Sequence, residues 1–169
     1  MTFLVRSFFC FVAIGFLTGA PTFALPTEDR LDVSHIIDKA GAESIIGERV
    51  KVPTPRNMHG GDGYYSKCNY YSASSKKTLI LRVYQASSGF DAEKELDAVK
   101  ASTGTATPVA GLGDKAQAFS GPESGLPPNV VMLYVIKGNT LITVGLSGLE
   151  DDDALGKSKA IAQKIIAQL

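Results

Sequence analysis

Hydrophobic positions change their period several times along this chain, and each change predicts an element. Asp32 has the side chain of a helix N-cap, and Val33, Ile36, Ile37 and Ala40 then recur at helical spacing. A second short helix is predicted to start at Lys39 or Ala42, run through Glu43 to Ile46 and stop at Gly47. Val50 and Val52 alternate with charged neighbours and predict a short extended piece. Residues 53–66 read as a loop, because Pro53 and Pro55 bar a central strand and Gly60-Gly61-Asp62-Gly63 is turn chemistry. Loops of this length are commonly functional or mobile.

The period then falls to two. Lys67 to Ser72 predicts a strand with Cys68 and Tyr70 on one face and Asn69 and Tyr71 on the other. A turn at Ser74-Ser75-Lys76 leads into Thr78 to Gln85, where Leu79, Leu81 and Val83 alternate with Ile80, Arg82 and Tyr84. Ser88, with Asp91 three residues on, reads as a capping-box-like start for a helix carrying Ala92, Leu96 and Val99, which ends over Thr103 to Pro108. A glycine-framed turn, Ala110 to Asp114, precedes a short strand, Lys115 to Phe119, and Gly121 to Pro128 is a second loop. Asn129 to Ile136 is nearly continuous in apolar residues, as in a strand covered on both faces, and Gly138-Asn139 turns it into Thr140 to Leu146. Glu150 to Leu169 is the most regular helical pattern. Leu155, Ala162, Ile165 and Leu169 form its apolar stripe, Ile161 and Ile166 flank it, and Asp151 to Asp153 sit at its positive end. The sum is an α+β domain over residues 32–169. It has an antiparallel sheet of about five strands, short N-terminal helices, one middle helix and a long C-terminal helix packed on the sheet.

Residues 1–24 follow a different pattern, that of a secretory signal. Arg6 precedes an apolar run from Phe8 to Leu17, and Thr22-Phe23-Ala24 places small residues at the −3 and −1 positions of a cleavage site. That run is about ten residues, where a spanning helix needs roughly 20; retention as an anchor is the alternative. Cys10 lies inside the run rather than directly after it, so lipidation is not expected. Residues 25–31 are a polar lead-in. The expected location is secreted or periplasmic, with no membrane span after signal removal.

Composition changes the picture once the signal is set aside. Removing 24 of the 169 residues leaves 145, and loss of Arg6 turns 17 Lys+Arg against 17 Asp+Glu into 16 against 17. A nucleic-acid surface needs an excess of clustered cations, so nucleic acid is not an expected partner. One Cys remains, so no internal disulfide forms; the aromatics are Phe90, Phe119 and six Tyr, with no Trp.

Four segments carry a resemblance. They are Ile45-Ile46-Gly47-Glu48, Cys68-Asn69-Tyr70, Val109-Ala110-Gly111-Leu112-Gly113-Asp114-Lys115-Ala116, and Val135-Ile136-Lys137-Gly138-Asn139-Thr140-Leu141 before a terminal amphipathic helix. Together they resemble a group of small secreted or lipid-anchored bacterial domains of unknown function. The resemblance covers residues 32–169 and implies an antiparallel sheet with helices against it, similar to PsbP-like sandwiches. It also implies a role at the bacterial cell envelope. Members of the group often carry a Cys thirteen residues before the glycine matching Gly47, expected to bridge to the one matching Cys68; here that position is Ser34. Such a bridge contributes roughly 3–4 kcal/mol, which packing must replace.

Candidate chemistry is sparse. Cys68 with His35 or His59 is the one nucleophile–base combination available to an enzyme, while a mid-strand Cys is ordinarily a small buried hydrophobe; a reactive or dimer-linking thiol lies between. Cys68, His35 and His59 are too few for structural zinc, and the Asp151 to Asp153 run lacks calcium-loop spacing, so no metal and no cofactor is expected. The glycines of His59 to Gly63 lack the lysine of a phosphate loop, and Gly111-x-Gly113 is too short for a dinucleotide fingerprint. Tyr64, Tyr65, Tyr70 and Tyr71 remain, beside His59 and the glycine-rich loop. Tyrosine buries area at little entropic cost and is enriched at recognition surfaces; the alternative is ordinary strand packing with alternate rings in the core. The sequence therefore predicts a non-catalytic binding domain, its partner an unknown protein or small ligand at the cell envelope. The other readings are a Cys68-dependent enzyme and an envelope-complex subunit that pairs through a sheet edge.

Overall fold

A computed structural model describes residues 30–87, 89 and 91–169. The signal, its cleavage site, most of the lead-in and Ser88 lie outside the described residues.

Two short helices open the fold. Asp32 caps α1 (Val33–Ile36) by accepting from the Ser34 N–H, and Asp38 caps α2 (Lys39–Ile46) by accepting from the Gly41 N–H. Gly47 ends α2 in the left-handed conformation, φ +78°. The chain then forms an antiparallel meander of β1 (Arg56–His59), β2 (Gly63–Tyr71) and β3 (Thr78–Ala86). Helix α3 (Ala92–Thr103) carries it over one face to the far edge. There a second meander returns through β4 (Thr107–Pro108), β5 (Lys115–Ser120), β6 (Val130–Lys137) and β7 (Thr140–Ser147). β7 pairs with β3, giving one sheet in the order β1-β2-β3-β7-β6-β5-β4, and α4 (Asp151–Ile166) follows.

The sheet has seven strands, which corrects the expected five. Both additions are edges. β1 is exposed at all four positions, so burial imposes no alternation on Arg-Asn-Met-His, and Pro53 and Pro55 precede the strand rather than interrupt it. β4 has two residues, and an edge tolerates Pro108 because its missing N–H would face outward. β2 also begins at Gly63, inside the expected loop. The extended piece at Val50 is a single bridge to Ser72.

Strand alternation separates the two faces. Cys68, Tyr70, Leu79, Leu81, Val83, Val131, Leu133, Val135, Ile142, Val144 and Leu146 point to the face covered by α1, α2 and α4, and all are buried. The buried face of α4 is Ala154, Ser158, Ile161, Ala162 and Ile165. This rotates the expected stripe: Leu155 is only half-buried and Leu169 is 48% exposed. Small side chains at Ala154, Ser158 and Ala162 let the helix lie close to the sheet, and the larger Leu155 is turned to the flank. The opposite, outer face is covered only in part. Asp91, not the segment before it, caps α3 by accepting from the Glu93 and Lys94 N–H groups, and α3 buries Leu96 against Ile136, Tyr134 and Leu141.

The Gly-Leu-Gly-Asp turn has a structural role. A Cβ at Gly113, where φ is +63°, would sit 2.4 Å from the Ile136 carbonyl oxygen. Asp114 donates its N–H to that same oxygen, and its carboxylate accepts from the Gly138 N–H and from Lys137 Nζ. The turn thus clamps the β6–β7 hairpin. Among the described residues no helix is long and apolar enough to cross a membrane.

Candidate functional site

Alternation along β2 divides the four tyrosines. Tyr70 is 1% exposed and donates its hydroxyl to the Ile37 carbonyl, tying the end of α1 to the sheet. Burial pushes its phenol far above the usual range, and the bond with Cys68 adds to that. Tyr71 lies on the outer face, 48% exposed, and its hydroxyl accepts from Asn69 Nδ2. Tyr65, also on the outer face, stacks on Tyr84 with centroids 4.3 Å apart and rings 12° from parallel. Its hydroxyl donates to the Asp62 carboxylate, which holds that carboxyl below its usual range. Only Tyr64 faces the cleft described next.

That cleft, of about 380 Å³, opens where the β1–β2 hairpin meets the ends of β3 and α4. Arg30, His59, Tyr64, Gln85, Asn139 and Leu169 form most of its wall. Arg30 Nη1 lies 2.7 Å from His59 Nε2. A guanidinium only donates, so Nε2 is the acceptor in this contact. The guanidinium carbon is 5.9 Å from the centroid of Tyr64, and the His59 and Tyr64 rings are 5.0 Å apart. Burial raises the Tyr64 phenol, with Asp32 adding and Arg30 opposing. Gln85 Oε1 accepts from the Leu31 N–H, and Asn139 Nδ2 donates to the Ala86 carbonyl. A Cβ at Gly63 would lie 2.4 Å from the Gln85 carbonyl oxygen, so glycine is needed where the hairpin enters the sheet.

A polar chain ties the start of α1 to β1 and β2 beside the cleft. Val33 N–H donates to Ser66 Oγ, Ser66 donates to Asn57 Oδ1, and Asn57 Nδ2 donates to Asp32 Oδ2. Burial works against the Asp32 carboxylate, but the bonds from Ser34 and Asn57 together with nearby His35 outweigh it and lower its pKa. The cleft wall is therefore held by α1 rather than by the hairpin alone.

Cys68 is fully buried, and burial pushes its thiol up. His59 pairs with Tyr64, four residues before Cys68 on β2, which at about 3.3 Å per residue is roughly 13 Å away. His35 points to water with 86% of its side chain exposed. The structure therefore assembles no Cys–His pair from these residues. No group of three His, Cys, Asp or Glu among the described residues could hold a metal ion.

Sequence reasoning found His59 and Tyr64 but missed Arg30, Gln85 and Asn139. These come from three distant segments, and only Asn139 carried a local signal, which was that of a turn. Set against known protein families, curated proteins and solved structures, the chain finds no match in any of the three.

Proposed function

We propose that this chain is a secreted or periplasmic, non-catalytic binding domain whose cleft takes a small polar ligand at the cell envelope. The observation that carries the reading is the Arg30–His59–Tyr64 wall. It brings a cation, an imidazole and an aromatic face together over an otherwise polar cleft. Such a mixture suits a ligand with an anionic group on a planar or apolar body. The location rests on the signal pattern of residues 1–24, and the bacterial envelope role on the resemblance. The test is a thermal-shift screen of the secreted form with small carboxylates, sugar acids and amino acids. A stabilising class is expected, with the gain lost in Tyr64→Ala. No stabilisation, or a gain that Tyr64→Ala leaves intact, would contradict the reading.

A second reading is favoured by β1. Its four residues are exposed at the sheet edge, whereas the other edge ends at Pro108. A partner strand could add there. Replacing Asn57 with Pro, compared with Asn57→Ala for the loss of its side-chain bonds to Asp32 and Ser66, would abolish such pairing, and size measurement in an envelope extract reads it.

A further inference from the structure

The cross-strand register builds a row of cations on the outer face, away from the cleft. Arg56 is opposite Lys67, Lys67 opposite Arg82, and Arg82 opposite Thr143. The row continues to Tyr134 and Gln117. All three cations are exposed, on neighbouring strands about 4.8 Å apart. Like charges directly opposite one another destabilise a sheet. Among the described residues no ion pair to an acid relieves them; the ion pairs found there use His35, Lys39, Lys115, Lys137 and Lys157.

The next row supplies an apolar shelf. Ile80 and Met132 meet across Gly145, where a Cβ would lie 2.6 Å from the Met132 sulfur and 3.3 Å from Ile80 Cβ. Both side chains are half-buried.

We infer that this face docks an acidic, amphipathic polypeptide segment of a partner protein. Its carboxylates lie on Arg56, Lys67 and Arg82, and an apolar side chain rests on the Ile80–Met132 shelf. A peptide supplies both features, negative charge and apolar side chains. An acidic polysaccharide supplies the charge but no apolar side chain for the Ile80–Met132 shelf.

The test is fluorescence anisotropy with a labelled peptide that combines glutamate and leucine on one helical face. Its lysine–leucine counterpart and polygalacturonate serve as comparisons. The native chain binds the glutamate–leucine peptide and not its counterpart. The variant Arg56→Gln, Lys67→Gln, Arg82→Gln weakens binding by roughly tenfold or more, the sum of three exposed charge contacts. Arg56→Glu, Lys67→Glu, Arg82→Glu transfers binding to the lysine–leucine peptide, an outcome that an unfolded variant cannot give. Failure of the native chain to bind, binding unchanged in the neutral variant, or polygalacturonate binding that the peptide cannot displace would overturn the inference.

Discussion

Replacing Tyr70 with Phe separates the two roles that tyrosine was expected to have in this segment. The ring stays in a fully buried site beside Cys68, so no cavity opens. The substitution removes one hydroxyl, which donates to the Ile37 carbonyl at the end of α1. A net hydrogen bond contributes about 0.5–1.5 kcal/mol, and an acceptor left buried without a partner costs about 1–3 kcal/mol. The expected loss is therefore about 1–2 kcal/mol. For a domain of this size that lowers Tm by roughly 3–8 °C. Urea unfolding followed by circular dichroism should give a lower midpoint with an unchanged slope, because the surface exposed on unfolding is the same. Tyr70→Ala, which also empties the core site, should cost about 3–5 kcal/mol. Tyr71→Ala, on the exposed outer face, should stay within about 0.5 kcal/mol. A Tyr70→Phe protein with unaltered stability would refute the claim that this hydroxyl anchors α1. It would also weaken the account of how the cleft wall is held.

Three further outcomes follow from the same packing. Gly113→Ala forces a Cβ into a left-handed site 2.4 Å from a carbonyl oxygen; it should destabilise by about 2 kcal/mol or more in urea unfolding. Asp114 is held below its ordinary value of 3.8, first by Lys137 and then by the Gly138 N–H. Its contribution is present above that value and lost as pH falls through the lower folded-state pKa, so Asp114→Asn should flatten the acid limb of stability below about pH 4. Cys68, buried with a raised thiol pKa, should react with maleimide only as fast as the domain opens; rapid labelling in native buffer would contradict its burial.

The long elements were legible because burial writes a period into them. Leu79, Leu81 and Val83, or Val131, Leu133 and Val135, can only be strands that turn one face to the core. β1 and β4 were not legible because an exposed edge selects no such pattern. The α4 stripe was misplaced for a related reason: large hydrophobes were counted, whereas close packing on the sheet favours Ala154, Ser158 and Ala162. The tyrosine cluster was half legible. Alternation set Tyr70 and Tyr71 on opposite faces without showing which face is the core, and nothing local joins Tyr64 to Arg30, Gln85 and Asn139, which only the closing of the sheet brings together. The Gly-Leu-Gly-Asp segment shows the reverse, a conspicuous motif whose work is to clamp a hairpin.

The central claim is that the Arg30–His59–Tyr64 cleft binds a ligand. NMR titration of the isotope-labelled protein with a compound that stabilises it tests this most directly. The account predicts saturable shifts confined to His59, Tyr64, Gln85 and Asn139, lost in Tyr64→Ala. Shifts centred elsewhere, or unchanged in that variant, would contradict it.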